Sequence, residues 1–292
     1  MRNQLGRPGL GAFFILTFGI SWAAWGPVAA ASWGFFRSPI PPALAGLIGA
    51  FGPSLAAVVL TLPGEGLRGL RRLLGRLFVW RVDVRWYLFA LLWPAVISLA
   101  TTTVYVLSGG GVPDFSNPPY IEVYPLPPEL AAIGPWPLMP FVFLQYVLLS
   151  SPMGEEIGWR GYALPRMQTA WSALRASLVL GFLWGLWHLP LYLTVGHPVS
   201  EEFFGWFLPG IVADAILFTW LYNSTGGSLL LAVLFHASIA VTGLFLTPAE
   251  ATPLLGLTLE WIFVGGVIAV TGPARLSRLD KQVVEQSQGG SR

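Results

Sequence analysis

The sequence predicts an all-α polytopic membrane protein, a bundle of about eight transmembrane helices. Three observations carry that reading. The 292 residues are 54% hydrophobic and only 10% charged, where a soluble domain carries about 25% charged residues. Apolar runs of about 20 residues, long enough to cross a bilayer, recur along nearly the whole length. Basic residues gather in alternate connections, as the positive-inside rule requires of a chain that crosses repeatedly.

In chain order the spans fall at residues 11–32, 41–62, 86–108, 136–154, 173–195, 203–222, 228–247 and 253–272. The first follows Arg2 and Arg7, is too long for a signal-peptide core and lacks a small-residue cleavage site, so it is read as a retained span. Between the second and third spans, Arg68, Arg71, Arg72, Arg76, Arg81 and Arg85 alternate with Leu67, Leu70, Leu74, Leu77 and Phe78 at helical spacing. That pattern predicts an interfacial amphipathic helix. The connection "GGGVPDFSNPPYIEVYPLPPEL" is Pro-rich, acidic and without Lys or Arg, as an outer loop should be. With the N-terminus inside, every basic residue except Arg37 falls on the inner side, which places both termini in the cytoplasm. Residues 1–272 read as one transmembrane domain and 273–292 as a polar cytoplasmic tail. No internal repeat of the transporter kind is visible.

The chain has no cysteine, which excludes disulfides, thiolate metal ligands and a cysteine nucleophile. Arg dominates Lys, with Lys281 the only lysine, which points to a GC-rich bacterial genome and so to a bacterial cell membrane. No nucleic-acid partner is expected of so apolar a chain.

Ionisable groups at membrane depth cost about 2.5–3.5 kcal/mol each on insertion scales, so each is a candidate functional residue. The stretch "MGEEIGWRGY" brings Glu155, Glu156 and Arg160 together. On a helix Glu156 and Arg160 are one turn apart and suit an ion pair, whereas Glu155 points about 100° away and is left to face something else. The same three residues also fit a solvated helix end at the membrane surface. His188, in "LGFLWGLWHLPLYL", and His236, in "LLLAVLFHASIAVTGLFL", each lie inside apolar runs. Singly, each reads as a packed histidine or an interhelical hydrogen-bond donor. Together with Glu155 they form a set able to activate water: a buried carboxylate as general base, and imidazoles that orient water, donate to an oxyanion or hold a divalent metal. The ligand types suit zinc, but the spacing of the two histidines is not that of a helical zinc motif. Asp214, in mid-span, is expected either to line the site or to accept from a Ser or Thr. Glu260 is expected to be structural or interfacial, and His197 a solvated outer-loop residue.

"EEIGWRG", "WGLWHLP" and "FHAS", in that order on successive spans, resemble the three motifs of the CAAX prenyl protease and bacteriocin-processing (CPBP, or Abi) family of intramembrane proteases, over residues 140–245. The resemblance implies an endopeptidase acting on membrane proteins or peptides near the cytoplasmic face. It implies Glu155 as the water-activating base, Glu156 with Arg160 as the pair that holds the geometry, and His188 and His236 as the groups that position water, metal or oxyanion. A divalent metal such as zinc on Glu155, His188 and His236, and a metal-free glutamate mechanism, both remain open. Trp184 stands where the motif has phenylalanine and Ala240 where it has Asn or Asp. The missing donor at Ala240 leaves two alternatives: a binding or scaffold protein of the same fold, or a substitute donor, Asp214 or Asn223. A transporter using these groups as a proton relay is a third, weaker reading.

Overall fold

The computed structural model describes residues 9–120, 133–201, 203–246 and 253–279, and over them helix is the only regular secondary structure. The helices are α1 (Gly9–Ser32), α2 (Pro42–Ala50), α3 (Gly52–Gly75), α4 (Val84–Leu107), α5 (Met139–Leu149) and α6 (Ser151–Glu156). After α6 comes a wide π-helical stretch, Ile157–Ala163, and then α7 (Leu164–Gln168), α8 (Ala173–Trp187), α9 (Leu189–Tyr192), α10 (Phe204–Ser224), α11 (Leu229–Phe245) and α12 (Pro253–Thr271). Each predicted span is occupied by helix, and the protein is an integral membrane protein. Five helices among the described residues are long and apolar enough to cross a bilayer, and a sixth crossing is made if α2 and α3, bent by 46°, count as one.

The remaining predicted spans depart from the simple pattern for identifiable reasons. The fourth is broken at Ser150, whose backbone is extended (φ −126°, ψ −166°), and Pro152 starts the next helix. The seventh, α11, has only 17 residues. The expected amphipathic helix is not a separate element: α3 runs into it across a kink at Gly66, where φ is +64°. Beyond that kink Gly69 and Leu73 face inward while Arg68, Arg71 and Arg72 are exposed. Of the predicted tail, residues 280–292 lie outside the described residues.

Helix starts follow local chemistry. Asp83, Ser172 and Ser228 cap α4, α8 and α11 by accepting from the backbone N–H of Arg85, Arg175 and Leu231. Polar side chains within the spans satisfy themselves: Thr101, Thr102, Ser177, Thr219 and Ser238 each donate to the carbonyl four residues earlier. Others tie helices together, as when Ser21 donates to the Gly49 carbonyl at 2.7 Å and Ser54 to that of Met153 at 3.0 Å. The core is aromatic. Trp187 packs against Trp25 and Trp159, with ring centres 4.5 and 5.8 Å away, and Phe13 stacks on Tyr162. Tryptophan is thus core material here.

Two glycines fix the motif segment in place. A Cβ on Gly154 would lie 2.5 Å from the Ala50 carbonyl oxygen, and one on Gly158 would lie 2.5 Å from the Pro53 backbone. Gly154 and Gly158 form a G-x-x-x-G pair, which lets membrane helices approach backbone to backbone. They press α6 and the π-helical stretch onto the α2–α3 junction. Gly158→Ala is expected to destabilise the full chain by about 1–3 kcal/mol through overpacking, read as a lower midpoint of thermal unfolding in detergent. An unchanged midpoint would show that this contact is not close-packed.

Candidate active site

Arg160 sits at the centre of the bundle with no exposed surface, as does Glu156, and Glu155 is 2% exposed. An unpaired charge there would cost several kcal/mol, and the surroundings offset it in two ways. Arg160 Nη1 donates to Glu156 Oε1 at 2.9 Å. The guanidinium also lies 4.1 Å from the ring centre of Trp184 and 3.8 Å from that of Phe218, close enough for cation–π attraction on both. The π-helical turn that carries Arg160 is a form often found at functional sites.

Glu156 Oε1 is shared. It also accepts from His236 Nδ1 at 2.7 Å, which joins α11 to α6. His188, at the C-terminal end of α8, places its Nδ1 2.8 Å from the Trp184 carbonyl oxygen. A carbonyl can only accept, so Nδ1 of His188 carries the hydrogen, and the carboxylate assigns the same tautomer to His236. In their neutral forms both imidazoles present an Nε2 lone pair.

Glu155 takes a different partner. Trp184 Nε1 donates to Glu155 Oε2 at 2.6 Å, and its Oε1 has no hydrogen-bond partner among the described residues. Trp184 is the hub: its ring centre lies 6.0 Å from that of His188 and 5.7 Å from that of His236. Glu155, His188 and His236 thus meet around one indole, and Arg160 stacks on the same ring. The separation of the two acids follows the helical expectation, with Glu156 held by Arg160 and Glu155 turned away. In place of the expected direct approach of His236 to Glu155, the histidine hydrogen-bonds to Glu156. A signal for the role of Trp184 lay in its indole N–H, which distinguishes it from the motif phenylalanine. The Phe218 contact left no such signal.

The other candidates sort themselves by partner. Asp214, one turn before Phe218 on α10, is within electrostatic reach of Arg160, Glu156 and His236, and its side chain is hydrogen-bonded to that of Glu260. Glu260, on α12, is thus Asp214's partner, in keeping with the structural part expected of it. Asn223 exchanges hydrogen bonds with Gln168 at 3.2 and 2.9 Å and donates to the Arg275 carbonyl at 2.7 Å. It is therefore committed elsewhere and does not replace the donor missing at Ala240. His197 is half-buried, and burial pushes its imidazole below the usual range.

A histidine with Nδ1 committed and Nε2 free is the usual arrangement of a metal ligand. Among the described residues, however, no three His, Asp or Glu side chains are grouped closely enough to hold a metal ion. As placed, Glu155, His188 and His236 do not form a metal-binding set.

Residues 137–242 match the family model described as type II CAAX prenyl endopeptidase Rce1-like. The chain is also similar to a CAAX prenyl protease 2 of Methanococcus maripaludis, 30% identical over 135 residues that cover 44% of this chain and 49% of the relative. The chain thus spans about half the length of that relative.

The ion pair yields a direct expectation. Arg160→Met leaves Glu156 buried without its cation and is expected to cost about 3–5 kcal/mol. The double variant Glu156→Gln/Arg160→Met should recover much of that loss. Thermal unfolding of the wild type, Glu156→Gln, Arg160→Met and the double variant in detergent supplies the cycle, and additive losses would show that the two side chains are not coupled.

Proposed function

Since residues 137–242 match the type II CAAX prenyl endopeptidase family model, we propose that the chain is a member of the CAAX prenyl protease and bacteriocin-processing family, an intramembrane endopeptidase that uses Glu155 to activate water. The single observation that supports this best is the convergence of Glu155, His188 and His236 on Trp184, inside a bundle that holds Arg160 neutralised.

In this reading the Glu155 carboxylate takes a proton from water while the oxygen of that water bonds to the scissile carbonyl carbon. The water's other hydrogen is donated to one of the two Nε2 lone pairs, of His188 or of His236, which aims it. The C–N bond then breaks, and Glu155 returns the proton to the leaving amine. Glu156 and Arg160 position His236 and take no proton. No step passes through a metal. The substrate is a membrane-anchored protein or peptide, cut near the inner face of a bacterial cell membrane, with both termini of the enzyme on that side. The positive-inside count supports this orientation.

A second reading rests on Ala240, one turn after His236 on α11, which offers no donor to an oxyanion. It makes the protein a slow enzyme or a binder of the same substrates. Loss of one oxyanion donor costs about 10²–10³-fold, so Ala240→Asn is expected to raise the cleavage rate by a comparable factor if chemistry occurs at this site. A rate unchanged from zero in both proteins favours the binding reading.

The base is tested with a proteoliposome cleavage assay on membrane-anchored peptides. Glu155→Gln keeps the shape of the side chain and is expected to slow cleavage about 10²–10⁴-fold, the usual contribution of a general base, with chelator leaving the wild-type rate unchanged. Equal rates for the two proteins would remove Glu155 from the mechanism. Loss of wild-type activity on chelation, restored by zinc, would replace the water-only step.

A further inference from the structure

A cavity of about 400 Å³ opens away from the Glu155 site, at the end of the bundle where α4 begins and where α10 and α12 finish. Its walls are apolar and aromatic, built from Trp86, Phe89 and Trp220. Its rim carries Arg85 and Arg278, and among the described residues no carboxylate lines it. Arg85 leans over the ring of Trp86, 5.2 Å from its centre, and is only loosely paired with Asp83 at 3.6 Å. Arg278 is exposed and makes no ion pair or hydrogen bond among the described residues.

Position matters as much as lining. Three spans end here, so the cavity lies where hydrocarbon gives way to head groups, on the face that carries Arg68, Arg71 and Arg72. An apolar slot beneath two cations at that depth matches an acyl chain beneath an anionic head group. The C-terminal ends of α10 and α12 direct partial negative charge towards this rim. Preference for an anion therefore has to come from the two arginines.

We propose that this cavity is a binding site for one anionic phospholipid, with its phosphate between Arg85 and Arg278 and an acyl chain against Trp86, Phe89 and Trp220. The site is separate from the Glu155 centre and does not depend on any activity there.

Native mass spectrometry of the full chain in detergent, with phosphatidylglycerol or phosphatidylcholine of matched acyl chains, tests the assignment. One phosphatidylglycerol per chain is expected to be retained, with phosphatidylcholine at least tenfold weaker. Arg85→Gln/Arg278→Gln should abolish that preference, and Arg278→Gln alone, at an exposed residue, should weaken it without loss of fold. Arg68→Gln/Arg71→Gln removes the same charge elsewhere on this face and should leave the preference intact. Millimolar inorganic phosphate should not displace the lipid. Equal retention of the two lipids, a preference that survives the double variant or falls equally in the control, or displacement by phosphate would each overturn the proposal.

Discussion

The buried guanidinium of Arg160 is the constraint around which this bundle is arranged. A surface ion pair such as Glu65 with Arg72 contributes between nothing and about 1 kcal/mol, whereas an uncompensated charge in the interior costs several kcal/mol. Arg160 must therefore find an anion and polarisable faces within the fold. It takes Glu156 from one turn earlier, Trp184 from α8 and Phe218 from α10. Those contacts bring α8 and α10 together over the π-helical turn. His236 is drawn in from α11 because Glu156 has a second lone pair to offer at the same oxygen.

One consequence is a division between groups that are held and groups that are kept available. Glu156 and the two Nδ1 atoms are committed to hydrogen bonds, which sets ring orientation and tautomer. Glu155 Oε1 and the two Nε2 atoms are left for other partners. Trp184 links the two classes, since its N–H fixes Glu155 while its carbonyl fixes His188. A single residue thus sets the relation between the carboxylate and one imidazole, so the substitution of indole for the motif phenyl ring adds a constraint as well as preserving a wall.

Much of this was legible in the sequence because it follows from periodicity and solvation. The spans were visible as apolar runs, and the Glu156–Arg160 pair followed from a spacing of one helical turn. Less legible were features that depend on which helix lies next to which. The break at Ser150 and the bend between α2 and α3 are marked locally by Pro152 and Pro53, but whether such a break is tolerated inside a span depends on the helices that lie alongside it. Phe218 and Glu260 are ordinary residues in sequence, and they gain their parts from facing Arg160 and Asp214. The glycines of "GEEIG" were a readable signal of close helix packing that the charged residues between them obscured.

Those two glycines also bear on how the site could be moved or rebuilt. Because Gly154 and Gly158 lie against the backbone at Ala50 and Pro53, the segment that carries the carboxylates is placed by main-chain contact. The motif alone, grafted onto a straight pair of membrane helices, would keep its residues and lose its aim. Any transplant would have to carry the bent α2–α3 junction with it, so the smallest portable unit of this site includes a segment that contributes none of its chemistry.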